Sequence, residues 1–151
     1  MPRSNTFYHL FSESEISIMK GEICPYCGAK PELIDSAEIY NGKSFGPIYI
    51  CRPCGAYVGV YENTNKPLGR LADAKLRELK KQAHEVFDQI WKLKFKRRYY
   101  AYRWLSEQLQ RPYDYTHIGM MDEETCKKVI ILSKRYLYTK DPLKFSQWNN
   151  I

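Results

Sequence analysis

The chain has 151 residues and a formal charge of +7, with 44% hydrophobic and 27% charged side chains. These proportions exclude wholesale disorder and low-complexity architecture, and no apolar run approaches the ~20 residues of a membrane helix. The positive charge lies in one half: residues 1–62 hold 5 basic and 7 acidic side chains, whereas residues 63–151 hold 19 and 10.

Residues 1–22 read as a lead-in without the apolar core of a secretory signal, so a cytoplasmic protein with no membrane partner is expected. There, five cysteines point to metal or free thiols rather than disulfides. Ser12 and Glu15 have capping-box spacing for a short helix over about 13–19. The alternation of Ile16 and Ile18 suits a strand equally.

Residues 23–62 read as strands and turns. Glu32 to Tyr40 predicts a strand, and Asn41-Gly42 a hairpin turn in which both residues take positive φ. The return strand runs from about Gly46 to Cys51, with Pro47 at its start or edge. Gly55 turns the chain into a third strand, Ala56 to Tyr61. Residues 63–70, polar with Pro and Gly, read as a linker. Residues 71–94 predict a helix, because Leu68, Leu71 or Ala72, Leu76, Leu79, Ala83, Val86, Phe87, Ile90 and Trp91 recur at three- and four-residue steps. A second helix spans Arg98 to Gln110 and stops before Pro112. Asp122 is the expected N-cap of a third, which runs to about Tyr138 within a helical unit over 71–139. A tail, 140–151, carries Phe145 and Trp148, which can dock on the helices.

The strongest chemical signal is Cys24-Pro-Tyr-Cys27-Gly28 with Cys51-Arg-Pro-Cys54-Gly55. Zinc takes four soft ligands at tetrahedral corners, about 2.3 Å from each sulfur. Each C-x-x-C turn presents two thiolates on one side of a knuckle, and the glycine after it accepts the positive φ that aims backbone N–H groups at sulfur. The hairpin between the pairs brings the knuckles together. The expected cofactor is one structural Zn2+ held by Cys24, Cys27, Cys51 and Cys54. A redox dithiol competes less well, because it needs a single C-x-x-C at a helix N-terminus. Four thiolates close the shell and leave no position for water, so this zinc is not expected to be catalytic. Cys126, on an apolar helix face, reads as a buried thiol rather than a nucleophile.

These motifs, with Pro67-Leu-Gly-Arg-Leu-Ala-Asp-Ala-Lys-Leu-Arg77, Ala83-His-Glu-Val-Phe-Asp-Gln-Ile-Trp91, Ala101-Tyr-Arg-Trp-Leu105 and His117-Ile-Gly-Met120, resemble a zinc-finger-containing domain of unknown function. That domain is found in many phage and prophage proteins. The resemblance covers about residues 23–136. It implies a zinc ribbon fused to a helical unit and a mobile-element setting, hence a bacterial host cytoplasm; it implies no established activity.

His84 and Asp88 stand one helical turn apart, as an acid/base or metal pair or as a packed histidine fixed by a hydrogen bond. The second reading is preferred, and His117 reads as holding the loop before the third helix. A His-Asn-His metal nuclease needs two histidines in a ββα context, which a helix and a loop do not provide. Lys92, Lys94, Lys96, Arg97 and Arg98 place five cations in seven residues, followed by Tyr99, Tyr100, Tyr102 and Arg103. This is a solvated helix corner, a phosphate-contacting patch with stacking aromatics, or a docking surface for an acidic protein.

The expected fold is therefore α+β: a zinc ribbon of three antiparallel strands, then a three-helix unit packed on it. The expected function is non-enzymatic. The basic half would bind nucleic acid or a nucleic-acid-handling protein complex, with no small-molecule substrate. The alternatives are an inhibitor of a host defence nuclease, of the anti-CRISPR type, and a zinc-containing metal-dependent nuclease.

Overall fold

The structure is a computed structural model, and it describes residues 7–151. Residues 1–6, the first part of the predicted lead-in, lie outside the described residues. Two compact units divide the chain: Phe11–Arg77, and Glu78–Ile151 together with residues 7–10.

The first unit opens with α1 (Glu13–Met19), which settles the ambiguity at Ile16 and Ile18 in favour of helix. Both halves of the capping box form: the Ser12 hydroxyl accepts from Glu15 N–H at 3.1 Å, and Ser12 N–H donates to the Glu15 carboxylate at 3.3 Å. Gly21 (φ 78°) ends the helix in a left-handed turn, with Gly21 N–H donating to Ile18 and Glu22 N–H donating to Ser17.

Three strands follow, β1 (Glu32–Asp35), β2 (Pro47–Cys51) and β3 (Ala56–Gly59), in an antiparallel sheet of that order. Ile34 faces Ile48 and Cys51 faces Ala56 across the ladders. The strand alternation sends Ile48 and Ile50 to one side, where they pack with Ile34, and Cys51 to the other, with Cys24, Ala56 and Leu71. Pro47 opens β2, as expected. β1 is shorter than expected because side chains capture its backbone after Asp35. The Asp35 carboxylate accepts from Ala37 N–H at 2.8 Å, and the Ser36 hydroxyl accepts from Phe45 N–H at 2.7 Å. Asn41 (φ 55°) and Gly42 (φ 86°) form the expected turn, closed by Lys43 N–H on the Tyr40 carbonyl. It sits at the tip of a long loop rather than directly between strands.

The segment 63–70, expected to be a linker, is built into this unit. Val60 bridges Pro67, and Tyr57 bridges Ala72 through reciprocal hydrogen bonds of 3.1 and 3.0 Å. Leu71 and Ala72 are therefore extended, not helical. α2 (Ala74–Phe87) starts three residues later than the apolar period suggests, where the Asp73 carboxylate accepts from Leu76 N–H at 2.9 Å.

α2 continues into the second unit. A one-residue break at Asp88 separates it from α3 (Gln89–Lys92), so the first of the three expected helices is two segments. α4 (Arg98–Leu109) and α5 (Glu123–Lys140) match the second and third, the latter capped by the Asp122 carboxylate on Thr125 N–H at 2.8 Å. Phe87, Ile90, Leu105, Met121 and Val129 are fully buried, and Phe87 meets Tyr102 edge to face with ring centroids 4.9 Å apart. Cys126 is 0% exposed, the buried thiol that the sequence suggests. Phe145 is buried and stacks on Trp148 at 5.2 Å, so the tail docks as expected. Among the described residues no helix is long and apolar enough to cross a membrane.

Candidate functional site

The two knuckles are shaped by their own backbone. Gly28 N–H donates to the Cys24 carbonyl at 2.9 Å and Gly55 N–H to the Cys51 carbonyl at 2.7 Å, each glycine in the left-handed region (φ 80° and 72°). The four sulfurs of Cys24, Cys27, Cys51 and Cys54 lie within 4.8 Å of one another, with Cys27 and Cys51 at 3.5 Å. A tetrahedron with zinc–sulfur bonds of about 2.3 Å has edges of about 3.8 Å, so these sulfurs fit it with small adjustments. Cys24 and Cys51 are buried, while Cys27 and Cys54 lie nearer the surface.

The thiols also perturb one another. The Ala29 N–H, donating toward Cys27, lowers that thiol below its ordinary value, helped by Cys51 and Cys54. Cys54 is pushed up to about 12, chiefly by its contact with Cys27 and then by desolvation. At Cys51 the Cys54 N–H favours thiolate, but burial and the thiols of Cys27 and Cys24 outweigh it and raise the value. Four sulfurs competing for protons in one small volume form a donor set that a single soft cation would satisfy. The cluster fits one structural zinc ion, with all four positions filled by protein. Among the described residues it is the one cluster of three or more potential His, Cys, Asp or Glu ligands.

His84, Asp88 and His117 therefore do not assemble a second ligand set of that size. His84 Nδ1 stands 3.3 Å from the Asp88 carboxylate, which also accepts from Trp91 Nε1 at 3.3 Å. This is the fixed histidine of the structural reading, although its ring faces solvent rather than a packed interior. His117 stands 6.0 Å from the Tyr102 ring. Desolvation lowers its pKa, against Asp114, and Arg98 lowers it further.

The basic residues gather at the turn from α3 to α4. Lys92, Lys94, Arg97 and Arg98 are exposed and Lys96 is half-buried. Among the described residues none of the five pairs with a carboxylate. Four of the patch's cations rest on aromatic rings. Lys92 lies 5.6 Å and Arg98 5.1 Å from Trp91, Arg98 is also 5.7 Å from Tyr102, Lys96 is 5.6 Å from Tyr136, and Arg103 is 5.9 Å from Tyr99. α4 has no side-chain cap and no acid in its first turn, so its dipole adds to the positive field.

These aromatic supports were not identified from the sequence. The pair Arg98 and Tyr102, four apart on a helix, carries a readable signal. Lys96 and Tyr136, forty residues apart, carry none.

Lys94 has φ 65°, in the position that ends α3. Lys94 N–H donates to Trp91 and Phe95 N–H to Ile90, the arrangement that glycine normally serves. A side chain there costs about 1 kcal/mol. Lys94→Gly is expected to raise the melting temperature by about 2–4 °C, read by thermal denaturation. A lower melting temperature would show that the Lys94 side chain stabilises the turn.

Neither the curated proteins nor the solved structures compared with the chain include a match. The sequence profile of a zinc-finger-containing domain matches residues 20–136, which takes in all four cysteines, the sheet, α2 to α4 and most of α5. On that match and the geometry of the cysteine cluster, the chain belongs to the zinc-finger-containing domain family.

Proposed function

We propose that this is a non-catalytic binding protein, stabilised by zinc, whose helical unit engages the phosphate backbone of a nucleic acid. One observation carries the reading: five cations in seven residues, none paired with a carboxylate among the described residues, stand beside aromatic rings at the α3–α4 turn. An unpaired positive cluster attracts polyanions, and cations braced on aromatic faces lose less side-chain freedom when they bind. An acidic protein would feel the same field, but only nucleic acid offers both phosphates and flat bases to this mixture of cations and rings. The closed zinc shell serves the fold and takes no part in contact chemistry.

The test is the triple variant Lys94→Glu, Arg97→Glu, Arg98→Glu, with DNA affinity measured by fluorescence anisotropy across a salt series. Affinity is expected to fall at least about tenfold at low salt, and the log–log salt slope to flatten by about 0.7–0.9 for each phosphate that the variant no longer neutralises. Zinc content and circular dichroism are expected to stay unchanged. Unchanged affinity would reduce the corner to a solvated face. Capture of a host protein that survives nuclease treatment, with no DNA or RNA binding, would put the inhibitor reading in its place.

A further inference from the structure

We infer that the ligand of this corner is single-stranded nucleic acid, with unstacked bases lying on Tyr99 and Tyr100; the inference rests on the nucleic-acid reading above. Both tyrosines sit in the first turn of α4, directly after Arg97 and Arg98, and they are 46% and 53% exposed. Tyr102, two positions further on, is by contrast turned inward at 9%. Two exposed adjacent rings beside a cation cluster form a platform on which flat ligands can rest.

Geometry favours single strands over duplex. The two ring centroids are 5.3 Å apart and the ring planes meet at 79°. Bases in a duplex are parallel and shielded by their neighbours, so two faces nearly at right angles cannot both stack on them. Splayed bases of a single strand can each take one face. Tyr99 is also held in place, by Tyr113 at 5.4 Å and by the Arg103 guanidinium at 5.9 Å. The guanidinium lies over one face of Tyr99, so a base would take the opposite face, at small entropic cost because the ring is fixed. Arg97 stands at the N-cap position of α4 with extended backbone and Tyr100 lies in the first turn that follows, so a phosphate contact and a stacked base can fall at the same end of the helix. Each base–aromatic contact strengthens binding regardless of sequence, because every base has a π-face.

The experiment measures the affinity of the intact zinc-loaded protein for three probes of about 20 nucleotides: oligothymidylate, an abasic strand with the same backbone, and a duplex. Oligothymidylate is expected to bind about tenfold or more tightly than either of the others at the same salt. Tyr100→Ala is expected to weaken oligothymidylate binding by about 5- to 100-fold while leaving the salt slope intact. Tyr99→Ala should do the same. If that variant loses helical signal, the abasic comparison and Tyr100→Ala decide the matter without it. Equal affinity for thymidylate and abasic strands, or for thymidylate and duplex, would overturn the stacking inference and leave the phosphate reading standing. No binding to any of the three would overturn both.

Discussion

Replacing Cys24 or Cys54 with serine is expected to release the zinc and unfold the unit Phe11–Arg77. The apolar interior of this unit is divided by the sheet into small clusters, Ile34, Ile48 and Ile50 on one side and Cys24, Cys51, Ala56 and Leu71 on the other. Two of the four residues in the second cluster are themselves ligands. A unit of under about 70–80 residues rarely draws more than about 3–5 kcal/mol from such a core, whereas a structural zinc contributes about 10–16 kcal/mol. Serine offers neither a soft sulfur nor an easily ionised group, so three thiolates remain and the shell stays open. Cys126→Ser is the control. Its side chain is buried in α5, outside the sulfur cluster, so the zinc is expected to stay although the hydroxyl carries a modest burial cost. Elemental analysis and circular dichroism of the three variants give the answer. About one zinc per chain in wild type and Cys126→Ser, and near none in the others, is the expected pattern. Equal loss in Cys126→Ser would overturn the ligand assignment.

Gly21→Ala is expected to destabilise the same unit by about 3 kcal/mol or more, a loss confined to a few mechanisms of which backbone collision is one. Gly21 ends α1 with φ 78°, where any side chain costs about 1–2 kcal/mol. The larger part comes from steric overlap. A Cβ built there collides with the Gly69 carbonyl oxygen and lies 2.9 Å from Pro67 Cβ. Neither is a flexible side-chain end, so the 67–69 backbone must move. That backbone pairs with Val60 and leads to Leu71, which is fully buried against the cysteine cluster. Gly42→Ala separates the two contributions. Gly42 has φ 86° but nothing within 4 Å of a Cβ, so its destabilisation is expected to stay near the left-handed cost alone. Urea midpoints of the two variants test this, and equal shifts would mean that the Pro67–Gly69 segment yields without cost.

Much of this protein follows from local rules, and those parts were legible in the chain. The paired C-x-x-C-Gly turns depend on four or five consecutive residues, and the four sulfurs converge as their spacing requires. Ser12 with Glu15 and Asp122 with Thr125 are helix starts written within three residues, and both form. The periodicity of the first helix of the helical unit reported its buried face, Leu76, Ala83, Val86, Phe87 and Ile90, because i, i+3 and i+4 share one side of a helix.

What the sequence did not reveal depends on which distant partner wins a backbone group. Residues 63–70 have the composition of a linker, yet Leu68 N–H donates to Gly59 at the end of β3 and Pro67 bridges Val60. A sheet edge offers unpaired N–H and C=O groups, and only the folded unit determines which segment reaches them. Leu71 and Ala72 fit a helical period, but the ladder with Tyr57 keeps them extended and delays α2. The basic corner was visible as charge alone. Its bracing by Tyr136, and the holding of Tyr99 by Tyr113, required segments far apart in sequence to come together. The sequence alone thus determined the ligands, the caps and the periodic faces, because each is a matter of spacing along the chain. Only tertiary structure decided the partners of the strand edge and the aromatic supports of the cations, because packing brings those groups together across the chain.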